Sequence, residues 1–198
     1  MENRTDTART ALVTGGGSGI GLACVTQLAQ QGVRVAMNHL EEDAQGPEQV
    51  ARLRAQGLDV IAAPGNVSVP GGAERMVEAA IAALGGLDYL VNNAGISGTR
   101  DPIPASALEQ IDEDLWMALL NTNLIGVFRC AKAAAPALRA SGGAIVNTAS
   151  TAGMGLQGSS TPYAASKSGV VSVTRSLARG LAPDVRVNAV APGQVATP

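Results

Sequence analysis

Aromatic side chains are almost absent from this chain: one Trp, one Phe and two Tyr, 2% of 198 residues. Its core must therefore be packed from Ala, Val, Leu and Ile. A single histidine, His39, stands far in sequence from Ser150 and argues against a Ser-His-Asp triad. The two cysteines, Cys24 and Cys130, are widely separated within expected helices, and with His39 they show no zinc-ligand spacing. Each reads as a buried free thiol of a reducing compartment, and no metal is expected. There is no basic excess: the net charge is −2, which speaks against nucleic acid as a partner. No stretch approaches the roughly 18 apolar residues of a membrane span, and the polar start Met1–Arg9 lacks the apolar centre of a signal peptide. The expectation is a cytoplasmic protein without a membrane partner, of a length that suits one domain.

Glycine is plentiful, at 24 residues, and it punctuates a regular alternation. Thr10–Thr14 is a short apolar strand, followed by a glycine loop over 15–21. A helix then runs from about Gly19 to Gln31, stopped by Gly32, and a strand follows at Val33–Met37. The pattern repeats with a helix near Pro47–Gln56, a strand at Asp59–Ala63, a helix at Pro70–Leu84 and a strand at Leu87–Val91. A long helical pattern covers about Asp112–Arg139, where Pro136 is expected to kink or end it. Strand Ala144–Thr148, helix Pro162–Leu181 and strand Val185–Val190 complete the series. Apolar strands alternating with helices predict an α/β fold, a doubly wound and mostly parallel sheet covered on both faces. Residues 1–9 read as a flexible tail and 10–198 as one domain, with 96–111 as the longest irregular stretch.

Two stretches carry chemistry. Thr14-Gly15-x-x-x-Gly19-Ile20-Gly21 lies between a strand and a helix. Its glycines would let backbone approach a pyrophosphate at a helix N-terminus. No Gly-Lys-Ser/Thr follows, so the lysine of a P-loop is missing. In the second stretch, Pro162 suits a first helical turn, and Tyr163 and Lys167, four apart, then share one helical face. An ammonium beside a phenol favours the phenolate, which suits a general acid/base. Ser150 closes a buried strand and could reach the same reacting oxygen. By itself a Tyr–Lys pair at this spacing fits a solvated surface; its company decides the matter.

That company is Ser150, Tyr163-xxx-Lys167, the glycine loop and Asn92-Asn-Ala-Gly95. Together they resemble the short-chain dehydrogenase/reductase family, and its 3-oxoacyl-carrier-protein reductase-like members in particular, from about Thr10 to Thr197. The resemblance implies a Rossmann-type fold and hydride transfer between a nicotinamide dinucleotide and a small-molecule carbonyl or alcohol. Tyr163 would be the general acid/base, Lys167 would support its phenolate and hold the nicotinamide ribose, Ser150 would bond the substrate oxygen, and Asn123 would complete a proton relay. Dinucleotide contacts would come from Gly15, Ser18, Gly19, Ile20 and Gly21, then Asn66 and Val67 at the adenine, and Asn93, Ala94 and Gly95 at a ribose. Pro192, Gly193, Val195 and Thr197 would meet the nicotinamide end. His39 and Leu40 fall where the family places the acid of NAD users and the base of NADP users, and neither is present. The cofactor is thus NAD(H) or NADP(H), with Glu41, Glu42 and Asp43 leaning it slightly towards NAD. Family members pair through two long central helices, which implies a homotetramer or homodimer. The family also places a substrate lid and one more strand after Thr197; the 198 residues end before them, and the natural polypeptide is expected to continue beyond Pro198. The rival reading is a dinucleotide-binding sensor without chemistry, and the intact Ser-Tyr-Lys set argues against it.

Overall fold

Along β1 (Thr10–Val13) successive side chains leave on opposite faces of the sheet. Ala11 and Val13 join one apolar cluster, and Leu12 joins another. β2 (Arg34–His39) repeats the division, with Val35 and Met37 on the first face and Ala36 on the second. Because both faces are covered, the strands are apolar throughout rather than alternating. A computed structural model describes residues 8–196. Its sheet has six strands in the order β3-β2-β1-β4-β5-β6, all parallel, with β3 at Val60–Pro64, β4 at Tyr89–Asn92, β5 at Ala144–Thr148 and β6 at Arg186–Val190.

α1 (Gly19–Gln30) and α2 (Gln45–Ala55) cover one face through Val25, Ala29, Val50 and Leu53. α3 (Gly72–Leu84), α5 (Gly126–Ser141) and α6 (Thr161–Leu181) cover the other, contributing Val77, Leu84, Ala134, Leu138 and Leu181. The chain winds outward from β1 to β3, then returns across the sheet to β4. The topological switch between β1 and β4 opens a crevice at the strands' C-terminal ends. No helix among the described residues is long and apolar enough to cross a membrane.

Three expectations need correction. The helical pattern from Asp112 is not one helix. α4 (Glu113–Leu119) is capped by Asp112, whose Oδ1 accepts the Leu115 N–H at 2.8 Å. A wide π turn over Leu120–Ile125 follows before α5 begins. The interruption falls at Asn123, whose amide bonds a neighbouring loop, while Pro136 lies inside α5 without ending it. β2 runs on to His39 rather than stopping at Met37, because Asn38 and His39 pair with Ala63 and Pro64 of β3. Cys24 is only half-buried, whereas Cys130 is buried and its thiol is pushed up to about 12 by that burial.

β6 forms an edge of the sheet, with Arg186, Asn188, Ala189 and Val190 exposed. Thr197 and the first seven residues of the expected tail lie outside the described residues.

Candidate active site

Three side chains hold the loops that leave β1, β2, β3 and β4. Asn38 is buried; its Oδ1 accepts the Gly15 N–H at 3.1 Å, and its Nδ2 donates to Ala63 O at 3.0 Å and Gly65 O at 2.9 Å. The Thr14 hydroxyl accepts the backbone N–H groups of Asn93 and Ala94 at 2.9 and 3.0 Å. Asn93 answers by donating its Nδ2 to Thr14 O and Gly15 O, each at 3.2 Å. The glycine loop is thereby fixed against the β4 loop. Gly15 has φ +60°, and a Cβ there would lie 2.9 Å from Ala94 Cα, so no other residue suits the position. Gly21 sits so close to the Gly15 carbonyl that a Cβ would overlap it.

Beyond the loop, Ser18 caps α1 without its side chain bonding the helix, so the first-turn N–H groups stay open. They face a cavity of about 430 Å³ lined by Gly15, Ser18, Gly19 and Ile20 on one side and by Asn93, Ala94 and Gly95 below. A glycine cradle against a helix N-terminus fits a dinucleotide pyrophosphate.

The far wall of that cavity carries Ser150, Tyr163 and Lys167. Ser150 follows β5 and opens a short turn, its Oγ accepting the Ala152 N–H at 3.2 Å. That bond uses a lone pair and leaves the hydroxyl proton free to be donated. Ser160 caps α6 and accepts the Tyr163 N–H at 3.3 Å, with Pro162 in the first turn as the sequence predicts. One turn later, Lys167 Nζ donates to Thr148 O at 2.8 Å and lies 6.0 Å from the centre of the Tyr163 ring. Lys167 is buried, and that burial pushes it down to about 8. Ala149 N–H donates to Val190 O and Thr151 N–H to Pro192 O, at 2.8 and 3.0 Å, which brings Pro192, Gly193 and Val195 to the cavity.

Several expected residues stand elsewhere. Asn123 is fully buried and lines no part of the cavity. Its Nδ2 donates to Ile96 O at 3.0 Å and Ser166 Oγ at 3.2 Å, and its Oδ1 accepts the Ile96 N–H at 2.8 Å. His39 is buried against Gly46 of α2, its Nδ1 2.8 Å from Leu40 O and its Nε2 without a partner among the described residues. Leu40 is exposed, and neither residue lines the cavity. Asn66 lines a separate recess, while Val67 is buried against Gly126 of α5. Four lining residues were missed: Ile96, Ser97, Thr148 and Ala149. Their signal was adjacency, since each pair abuts a recognised motif.

A glycine-cradled crevice at a topological switch, with Ser, Tyr and Lys on its far wall, defines a Rossmann-type site. The family model described as "short chain dehydrogenase" matches residues 9–198. The 3-oxoacyl-[acyl-carrier-protein] reductase FabG of Staphylococcus aureus is 40% identical over 187 residues, covering 93% of this chain and 74% of that protein. The granaticin polyketide synthase putative ketoacyl reductase 2 of Streptomyces violaceoruber is 42% identical over 192 residues, covering 96% and 74%. A crystal structure of a substituted actinorhodin polyketide ketoreductase with NADPH superposes with a TM-score of 0.85 at 38% identity, covering 96% of this chain and 72% of that one. The chain belongs to the short-chain dehydrogenase/reductase family and resembles its 3-oxoacyl-carrier-protein reductases. That the actinorhodin polyketide ketoreductase is described with NADPH runs against the slight lean towards NAD.

Proposed function

We propose that this chain reduces a ketone of the 3-oxoacyl type at the expense of NADPH, in a single domain that carries both cofactor and catalytic groups. The observation that carries this reading is the meeting of Ser150, Tyr163 and Lys167 on one wall of the cavity opposite the glycine loop. The bound nicotinamide would supply the hydride. Ser150, with its hydroxyl proton free, would donate to the substrate carbonyl oxygen and hold it beside Tyr163. Tyr163 would give its phenolic proton to that oxygen as charge develops there. Lys167, held by Thr148 O close to the Tyr163 ring, would offset the phenolate charge that remains.

Asn123 would act differently from the relay that the resemblance implies. Both of its amide protons are used within the protein, so its side chain serves as a clamp under Ile96.

The substrate would enter a recess of about 480 Å³ on the other side of Ser150 and Tyr163, where Ser97, Thr151, Gln157 and Gln194 present polar groups. NADP(H) is supported by the 38% identical ketoreductase described with NADPH. Asp43 weakens a 2′-phosphate contact without barring it: its Oδ1 accepts the Gln45 N–H at 2.9 Å, where the N-terminus of α2 offsets part of the charge. Exposed Met117 on α4 and Phe128 on α5 support pairing of two copies through these helices. A screen of ketones, sugars, steroids and 3-oxoacyl thioesters with NADH and NADPH tests the reading. Thioester-dependent oxidation of NADPH is expected. Cofactor binding without oxidation by any carbonyl would instead mark a sensor.

A further inference from the structure

β4 and β5 lie side by side with Asn92 opposite Asn147, so these two side chains leave on one face of the sheet. Both are buried, and so is Thr174 of α6, which lies against them. The three polar side chains form one ladder in an otherwise apolar layer. The Thr174 hydroxyl donates to Val170 O at 2.7 Å, one turn back in its own helix. That uses its only proton, so Thr174 Oγ1 accepts from Asn147, whose Nδ2 lies 2.9 Å away. Asn147 must then turn its Oδ1 towards Asn92, and it accepts from Asn92 Nδ2 at 2.9 Å. Asn92 Nδ2 also reaches Val127 O at 3.5 Å, while its Oδ1 is buried without a partner among the described residues. Each orientation follows from the one before, and the last oxygen is left unpaired. Apolar side chains of the same shape would avoid that cost, so stability alone does not account for the ladder.

Its place in the fold does. Thr174 stands seven residues after Lys167, about two turns along the same stripe of α6. Two bonds tie this stripe to β5, and they reach adjacent residues of the strand. Asn147 Nδ2 donates to Thr174, and Lys167 Nζ donates to Thr148 O at 2.8 Å. We propose that Thr174 is a positioning residue: the Asn92–Asn147–Thr174 ladder fixes the axial register of α6 against β5, and so sets where Lys167 stands beside Tyr163. The inference rests on the catalytic reading of Tyr163 and Lys167 above. Without the Thr174 hydroxyl the Asn147 amide loses its acceptor, α6 keeps one of its two ties to β5, and water reaches Lys167 more readily.

Lys132, exposed on α5, is the only other lysine. In a Lys132→Arg chain carrying isotope-labelled lysine, NMR therefore follows Lys167 alone as pH rises, with a midpoint expected near the value of about 8 to which burial pushes it. Thr174→Val keeps the shape and removes the hydroxyl. It is expected to raise that midpoint by about 0.5 in pH or more as Lys167 meets water. Turnover of acetoacetyl-coenzyme A should fall by about fivefold or more, while the calorimetric Kd for NADPH stays within about threefold. Thr174→Ser restores the hydroxyl and is expected to restore both. Val50→Ala opens a cavity under α2 on the opposite face, destabilises the chain without touching the ladder, and is expected to move neither. A folded Thr174→Val protein with an unchanged midpoint or unchanged turnover overturns the inference, as does a Val50→Ala protein that shifts them equally. If Thr174→Val does not fold, the Asn147→Leu/Thr174→Val pair, which removes both partners of the bond, is read by the same outcomes. Absence of turnover in the unaltered chain would instead overturn the functional reading, and the Lys167 midpoint would still decide this inference.

Discussion

Replacing Asn123 by Ala distinguishes a clamp from a proton relay. The substitution removes three side-chain hydrogen bonds, two with the backbone of Ile96 and one with Ser166 Oγ. Each such bond contributes about 0.5–1.5 kcal/mol net, so the sum lies at about 1.5–4.5 kcal/mol. Two features pull it below the upper end. Ile96 is 40% exposed, so water can reach part of its freed backbone, and Ser166 keeps its own bond to Tyr163 O at 2.7 Å. The expected loss is therefore about 2–3 kcal/mol. For a chain of this size that lowers the melting temperature by about 4–12 °C, and urea unfolding should show an unchanged slope with an earlier midpoint. Gly95, whose Cβ position lies 3.2 Å from Asn123 Oδ1, would lose its backing, so dinucleotide affinity should weaken together with stability. A loss below about 1 kcal/mol with turnover abolished would refute the clamp and assign the amide to the chemistry.

Gly21→Ala drives a methyl into the Gly15 carbonyl, so dinucleotide affinity should fall by at least about tenfold in calorimetry while the chain still folds. Lys167 loses its charge as pH rises through about 8, so kcat/KM for carbonyl reduction should decline above that pH. Its folded pKa is depressed from 10.5 to about 8, so between those values the unfolded chain binds more protons. Stability should accordingly rise across that window, and Lys167→Met should remove the rise in a pH series of urea unfolding. Asp43 Oδ2 lies 3.7 Å from the Cβ position of Gly17 in the glycine loop, so Asp43→Asn should raise the NADPH-to-NADH ratio of kcat/KM by about threefold or more.

Most of the architecture was readable because each strand is an apolar run bounded by glycine or polar turns, and Pro162 and Gly85 mark helix ends where local chemistry requires them. Tyr163, Lys167 and Ser150 were readable because helical spacing and a strand end already place them. What escaped depends on contacts distant in sequence. The holding role of Asn38 shows only in its bonds to Gly15, Ala63 and Gly65, 23 to 27 residues away. His39 turns inward because Gly46 leaves space for its ring. The helical pattern from Asp112 is unbroken in sequence, and only the amide bonds of Asn123 to Ile96 reveal why the helix widens there. Val67 follows the same rule, since its partner Gly126 belongs to another layer.

The most direct test of the catalytic claim is Tyr163→Phe, which removes one oxygen and keeps the ring that packs 3.1 Å from the Cβ position of Gly158. With the best carbonyl from the screen, turnover should fall by at least about 100-fold while the calorimetric Kd for NADPH stays within about threefold. Turnover within about fivefold of the unaltered protein, in a variant that folds and binds NADPH, would contradict Tyr163 as the proton donor.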